Sequence, residues 1–211
     1  EQDPSVVKES VHHFYKQVSG KPLVRPAWYY DVRQEGMGLV DVTTHLVDLV
    51  QWACFPDQIL SFKNDVVMKS ATVWNTPISL AQFEQSTGNK NFPDYLNDAI
   101  KNGTLQVAAN GEMNYALKGV HAKIRVIWNY EAPAGTGDTH YSLMRGTKAQ
   151  LIVRQADAQQ YKPVLYLESR SALELTDTSK IQEDFQPIKK LYEGVELRLL
   201  SPLEANRALG R

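Results

Sequence analysis

The sequence predicts an α+β domain built on an open, mostly antiparallel sheet with helices on one face. In the second half of the chain, segments that alternate apolar and polar residues follow one another through short turns, which is typical of antiparallel strands. Segments with helical spacing are concentrated earlier in the chain. The 211 residues are 43% hydrophobic and 22% charged, a composition that supports one sizeable core. We therefore expect residues 1–211 to form a single domain.

The first third of the chain predicts one strand, a turn and one central helix. Residues 5–18 alternate in polarity and favour a strand, with an amphipathic helix as the alternative. Ser19-Gly20-Lys21-Pro22 is a turn signal, and residues 26–30 form an aromatic connector. The helix is predicted over residues 38–53, ending before Pro56. Its dense apolar residues predict burial over most of its circumference.

The middle of the chain predicts short elements of both kinds. Residues 59–74 are rich in β-forming residues and predict two strands separated by Asn64-Asp65. Residues 77–88 and 93–101 each predict a short helix, the second ended by Asn102-Gly103.

The remaining predicted elements are strands joined by turns. They are residues 105–117, 120–130, 139–144, 149–154 and 164–169. A loop rich in Pro and Gly is expected over residues 132–138. From residue 171 onward the sequence consists of polar residues and short apolar pieces without a clear period, and no helix is evident after Leu200.

Composition excludes several classes of protein. The net charge is −1 with acids and bases interspersed, which argues against a nucleic-acid or anionic-membrane surface. No uninterrupted apolar stretch is long enough to predict a membrane span. Cys54 is the only cysteine, so an internal disulfide is excluded and a cysteine-based zinc site is not expected. A cytoplasmic and a periplasmic location are both compatible with this sequence.

The predicted central helix carries a polar stripe through its apolar surroundings. The side chains that recur at spacings of three, four and seven are Asp41, Thr44, His45, Asp48 and Gln51. An unpaired carboxylate and imidazole on a buried helix are unfavourable. Either hydrogen-bonding partners satisfy them, or they face a wet cavity and take part in chemistry.

Two other interpretations of this region are weaker. Gly36-Met37-Gly38 resembles a dinucleotide fingerprint but lacks the third glycine and a surrounding βαβ unit. Metal binding by Asp41, His45 and Asp48 is geometrically possible, but one helix supplies few ligands and no second cluster is obvious. We therefore predict no metal site.

Two motifs resemble a known family. Residues 38–48, Gly-Leu-Val-Asp-Val-Thr-Thr-His-Leu-Val-Asp, resemble the G-x-x-x-D-x-x-x-H-x-x-D helix of the glucose-fructose oxidoreductase/inositol dehydrogenase/MocA family. Residues 145–151 resemble its later G-T-K-G-x-L hairpin, and the order of elements also fits. Residues 7–52 are especially similar to the subgroup described as a "putative oxidoreductase C-terminal domain". The resemblance covers residues 5–154.

The resemblance implies that this chain is the second of two domains. Its fold would be the open sheet of dihydrodipicolinate-reductase-like C-terminal domains. An N-terminal Rossmann domain, absent from this chain, would bind NAD or NADP and contribute a lysine. This domain alone would then be inactive. Its partners would be that Rossmann domain, a sugar-like small molecule and a second copy bound through the sheet.

The resemblance also implies site residues. Asp41 and His45 match the catalytic or substrate-positioning pair of the family. A histidine suits removal of a hydroxyl proton, and a carboxylate one turn away can orient it or bind a second hydroxyl. Trp28 and Tyr30 are expected in the wall of the substrate cleft, and His140 is a further lining candidate.

Two alternatives belong to other functional classes. The chain could be a non-catalytic binding or dimerisation module whose polar stripe is buried and fully hydrogen-bonded. It could also be a metal-dependent hydrolase, which metal analysis of the purified protein would reveal.

Overall fold

A long mixed sheet forms the centre of the molecule. The computed structural model describes residues 3–170 and 178–211. The strands are β1 (Val6–Tyr15), β2 (Gln17–Val18), β3 (Lys21–Pro22), β4 (Val66–Ile78), β5 (Ile100–Lys101), β6 (Thr104–Leu117), β7 (Val120–Glu131), β8 (Thr139–Arg145), β9 (Ala149–Gln155) and β10 (Val164–Ser169).

Helices connect and flank these strands. The helices are α1 (Thr43–Cys54), α2 (Phe62–Asp65), α3 (Leu80–Thr87), α4 (Thr178–Leu191) and α5 (Pro202–Leu209), with short 3₁₀ turns at Ala27–Tyr30, Asp94–Ala99 and Asp157–Gln159. In the described parts of the chain, no helix has the length and apolar character needed to cross a membrane.

The sheet is open and mostly antiparallel. Its strand order is β10-β9-β8-β1-β7-β6-β4, with β5 paired to β6. Only β1 and β7 run parallel; the other pairs within this sheet are antiparallel. β2 and β3 form a separate small pair. The predicted α+β fold with an open, mostly antiparallel sheet is confirmed, as are the strands expected between residues 105 and 169; the helices, however, lie on both faces of the sheet and not on one.

Alternation along the central strands builds the core under α1. In β7, Ile124 and Val126 are fully buried, while Lys123 and Arg125 point to the opposite face. Burying one large aliphatic side chain contributes about 1.5–3 kcal/mol. α1 buries Leu46 and Val50 in the same cluster.

α1 differs from the predicted helix in two respects. It begins at Thr43 rather than at residue 38, because residues 38–42 form turns that lean on β6. It is also not buried over most of its circumference. Trp52 is 74% exposed and Leu49 is 40% exposed. The density of apolar residues along the helix therefore predicted which face packs on the core but overestimated how wide that buried face is.

The segment over residues 59–74 is one strand and not two. Asn64 and Asp65 lie in α2, and a single strand starts at Val66. The Asp65 carboxylate accepts a hydrogen bond from the Ser61 backbone N–H at 2.7 Å, which closes this turn of helix. Of the predicted short helices, α3 is confirmed, whereas Asp94–Ala99 is 3₁₀.

The opposite face of the sheet carries α5. Leu209 packs against Leu143 and Ile152 in a second, smaller cluster. The expectation that no helix follows Leu200 was wrong. Ser201 forms a capping box with Glu204, and Pro202 occupies the first turn, so local signals start a helix that is too short to show a clear period.

Candidate functional site

The turn before α1 is fixed by close backbone packing. The Gly38 N–H donates to the Ala108 carbonyl at 2.9 Å. A Cβ atom on Gly38 would lie 2.4 Å from the Ala109 carbonyl oxygen, so only glycine fits there. The Thr43 hydroxyl donates to the Gly38 carbonyl at 2.6 Å. These contacts fix the position of Asp41, which lies between the two anchored residues.

Asp41 and His45 lie at the N-terminal end of α1. Asp41 is half-buried and precedes the helix, and His45 is exposed in its first turn. Burial raises the pKa of Asp41 above its usual range, although the nearby His12, Arg25 and His45 oppose that shift. Asp41 therefore combines partial burial with an electrostatic link to three basic side chains.

A small recess of about 10 Å³, with room for roughly one water molecule, opens beside Asp41. Glu35 and Asp41 supply its carboxylates, and Tyr29 and Trp128 supply aromatic walls. Burial and the neighbouring Asp41 raise the pKa of Glu35, since two close carboxylates disfavour each other's charge. A recess of this size cannot enclose a sugar ring, so its carboxylates can accept a hydrogen bond only from a hydroxyl group at its mouth.

Arg25 connects the backbone of β1 to the aromatic rings of this recess. It donates to the Phe14 carbonyl at 2.6 Å and to the His13 carbonyl at 3.0 Å. Its guanidinium lies 4.2 Å from the centre of the Tyr29 ring and 5.2 Å from that of Trp128. The positive charge of Arg25 thus lies against the aromatic rings and interacts electrostatically with Asp41 and Glu35.

A polar network centred on Asp138 lies next to the recess. The two Asp138 carboxylate oxygens contact His12 Nδ1 at 3.2 Å and His13 Nδ1 at 3.1 Å, and the carboxylate also pairs with Lys16. Burial alone would raise the pKa of Asp138, but hydrogen bonds from His12, His13 and Lys16 hold it far below its usual range. Because an ionised carboxylate can only accept, both histidines donate from Nδ1.

The network fixes the orientation of His12. With Nδ1 committed to Asp138, Nε2 of His12 is hydrogen-bonded to the Ser10 hydroxyl, 3.0 Å away. The ring also stacks on Trp128 with centroids 4.9 Å apart. The sequence of acid, imidazole and hydroxyl resembles a hydrolytic triad, but Ser10 is only 4% exposed. We interpret it as an orienting network rather than as a nucleophile.

Substitution of Asp138 is expected to make stability less dependent on pH. Its folded-state pKa is depressed, so the stabilisation is present above the unfolded value of about 3.9 and is lost as the pH falls below it. We expect Asp138→Asn to lose roughly 2 kcal/mol at neutral pH. The free energy of unfolding, measured against pH, should differ most between wild type and variant near neutrality and converge in acid. A difference that stays constant down to strong acid would contradict this assignment.

His140 joins the same face through β1 and β8. It is opposite Ser10 in the register of these strands. Burial, together with the charges of Lys8 and His12, lowers the pKa of His140 and favours its neutral form. Lys8 is 7% exposed and donates to the Ser142 hydroxyl at 2.7 Å.

The structure separates the two predicted aromatic residues. Trp28 is 45% exposed and remains available to a ligand, whereas Tyr30 is 2% exposed. The expected place of Tyr30 in the cleft wall is wrong, because its ring stacks on Phe14 and its hydroxyl bonds Ser86 at 2.6 Å. The neighbouring Tyr29 faces the recess instead.

Sequence reasoning missed four residues of the site. Glu35, Arg25, His12 and Asp138 lie apart in the sequence and meet only through the sheet. Alternation along β1 placed His12 on a definite face, but its contact with Asp138 depends on pairing across 126 positions. No local pattern reports such a contact. Within the described ranges, no group of three or more His, Cys, Asp or Glu residues could hold a metal ion.

The fold agrees with one class of protein domain, the C-terminal sheet domain of oxidoreductases. Residues 1–202 match the family described as "putative oxidoreductase C terminal domain". The chain belongs to this family.

Two solved structures are similar to this chain. A protein from Parabacteroides merdae, described as a "putative oxidoreductase", is 48% identical, with a TM-score of 0.90 over 94% of this chain and 46% of that one. A protein of the same description from Erwinia carotovora is 14% identical, with a TM-score of 0.45 over 97% of this chain and 52% of that one. The chain thus spans about half the length of these structures. No curated protein matches it.

Proposed function

We propose that this chain is the substrate-binding domain of an NAD(P)-dependent oxidoreductase acting on a sugar, a polyol or a sugar derivative. One observation carries the proposal. Asp41 lies half-buried beside an aromatic recess, and the exposed His45 follows one helical turn later. This pair can bind adjacent hydroxyl groups and accept a proton from one of them.

The roles of the two residues follow from their surroundings. His45 meets solvent, so it can pass a proton taken from the substrate hydroxyl to bulk water. Asp41, coupled to His12, Arg25 and His45, would bind a second hydroxyl and orient the imidazole. Trp28 and His140 remain candidates for the wall of the cleft.

The coenzyme would be bound mainly by an N-terminal Rossmann domain. Bound NAD or NADP would accept the hydride from the substrate carbon. Gly38 contacts the backbone of Ala109 and Asn110, so the Gly36-Met37-Gly38 turn is occupied by packing and does not offer its backbone to a pyrophosphate. The residues of this chain fit a substrate-binding role, and the phosphate contacts belong to the other domain.

The full-length protein should reduce NAD or NADP when supplied with the right polyhydroxylated substrate. A panel of sugars, polyols and sugar acids, tested with each coenzyme, would be followed by absorbance of the reduced nicotinamide. Calorimetric titration of each coenzyme provides an independent control. Turnover with one coenzyme supports the proposal. Failure of both coenzymes to bind the folded protein contradicts it.

We also propose a homodimer formed through the sheet face opposite α1. This face carries a row of ion pairs: Arg125 with Glu9 at 3.3 Å and with Glu112 at 3.7 Å, and Lys123 with Glu112 at 3.1 Å. The row is half-exposed, and Val67 beside it is 64% exposed. A light-scattering mass of two full-length chains would support the dimer, and a monomer at micromolar concentration would contradict it.

A further inference from the structure

An apolar groove of about 370 Å³ runs between α1 and the edge strand β4. We refer to it as the α1–β4 groove. The side chains that carry the argument are Val47, Leu60, Phe62, Met68, Met113 and Tyr115. Methionine side chains adapt to the shape of what they contact, so the groove is suited to receive an apolar group. It lies on the same side of the sheet as α1, but apart from the recess at Asp41.

The rim of the groove is unusually exposed for such apolar residues. Of the lining residues, Phe62 is 74% exposed and Met68 is 47% exposed. Trp52 and Ile59, each next in sequence to a lining residue, are 74% and 99% exposed. Large apolar side chains that cluster on one surface mark an interface. Burying these side chains would be favourable, and this chain alone does not bury them.

The groove wall also contains an unsatisfied donor. Tyr115 is 4% exposed, and its hydroxyl has no hydrogen-bond partner in the part of the chain that the structure describes. Burial raises the pKa of Tyr115 to about 12, so the hydroxyl stays neutral and keeps its proton. A buried donor without an acceptor is unfavourable by about 1–3 kcal/mol. Because less than 1 Å² of this oxygen is accessible, a group docked in the groove would contact the Tyr115 ring and not its hydroxyl.

The strand register shows what could reach the groove. Val6, at the start of β1, pairs with Ala122, and Ala122 pairs with Tyr115. Tyr115 is therefore two strand spacings from Val6, roughly 10 Å. Residues that precede Val6 in a longer chain come to the sheet at the end where the groove lies. The family is a C-terminal domain, and the 48% identical structure is about twice as long.

We propose that the α1–β4 groove is the docking surface for the N-terminal domain of the same chain. That domain would insert an apolar side chain between α1 and β4. It would contact α1 near the C-terminal end of the helix, where Trp52 is exposed, while His45 lies at the N-terminal end. The inference rests on the family assignment and not on hydride transfer.

Hydroxyl-radical footprinting of the full-length protein tests this directly, because Trp, Phe and Met side chains react readily when exposed. The oxidation rates of Trp52, Phe62 and Met68 are first normalised to those of the free amino acids. Each should be roughly fivefold or more lower than the rate expected from the exposure of that side chain in this structure. Tyr192, which is 62% exposed, lies elsewhere and serves as the internal reference.

A dilution series separates the occupants. Protection that persists in the diluted monomer supports docking within one chain. Protection that disappears on dilution assigns the groove to a second copy and overturns the proposal, as does full reactivity at every concentration. Coenzyme binding is measured separately, so protection without NAD(P) binding would reject the proposed function while leaving this inference intact.

A pair of variants gives a second readout. Phe62→Ser should loosen the domains and raise the rate of limited proteolysis between them several-fold. Leu165→Ser on β10, 64% exposed and on the opposite edge strand, is the matched control and should leave that rate unchanged. Equal rates in the two variants would overturn the proposal, and the footprinting of the wild-type protein does not depend on either variant folding.

Discussion

Replacing His45 with asparagine is expected to lower kcat of the full-length enzyme by about 10²–10⁴-fold. Asparagine keeps the size of the side chain and a hydrogen-bond donor, but it cannot take up the hydroxyl proton. His45 is exposed in the first turn of α1, so the substitution should leave the fold intact. The measurement is steady-state turnover with the substrate found in the coenzyme screen, with thermal unfolding to verify stability.

Two further variants make this result specific. Asp48→Asn changes an exposed carboxylate on the same helix and should keep wild-type turnover. Asp41→Asn should mainly raise KM, because Asp41 is expected to hold a hydroxyl rather than to move the proton. If His45→Asn turns over at the wild-type rate, or if Asp48→Asn is equally impaired, the assignment of His45 as the general base fails.

Replacing Gly38 with alanine is expected to destabilise the protein by roughly 3 kcal/mol, because the added methyl group overpacks a rigid contact. The new Cβ would lie 2.4 Å from the Ala109 carbonyl oxygen and also 2.4 Å from the Asn110 carbonyl carbon. Both are backbone atoms of β6 and cannot move aside as a flexible side chain can. For a domain of this size the melting temperature should fall by about 6–12 °C.

The same substitution should affect substrate binding, because the Gly38 turn positions Asp41. Gly137→Ala is the matched control, since its nearest contact would be an ordinary 3.7 Å to the Tyr161 ring. Thermal unfolding of both variants provides the comparison. A Gly38→Ala protein as stable as the Gly137→Ala protein would show that the turn does not lean on β6 as described.

The strands that were predicted correctly have a signal contained within them. Ile124 and Val126 alternate with Lys123 and Arg125 along β7, so the sequence itself identifies the buried face. The same is true of Leu105 and Val107 at the start of β6, both buried in the core. The antiparallel hairpin follows because only Lys118-Gly119 separates the two strands.

Other features depended on contacts that the sequence does not display. Tyr29 and Tyr30 are adjacent and chemically alike, yet the fold turns one to the recess and buries the other. Asp41 and His45 were identified through a motif, whereas Asp138 joins His12 only after β1 pairs with β8. The missed helix α5 is a different case, because Ser201, Pro202 and Gly210 carried start and stop signals that a longer periodic pattern would have made visible.

The central position of β1 has a consequence for biosynthesis. The first strand of this domain to leave the ribosome pairs with β7 and β8, and neither exists until more than half of the domain has been made. β1 therefore has no interstrand hydrogen bonds until its neighbours have been made. Its pairing with them is a slow, non-local step of folding. A nascent chain stopped before Thr139 lacks β8. What is missing is then a neighbour of β1, the middle strand of the sheet, and not only a strand at the edge. Such a fragment would expose β1 to chaperones or to aggregation.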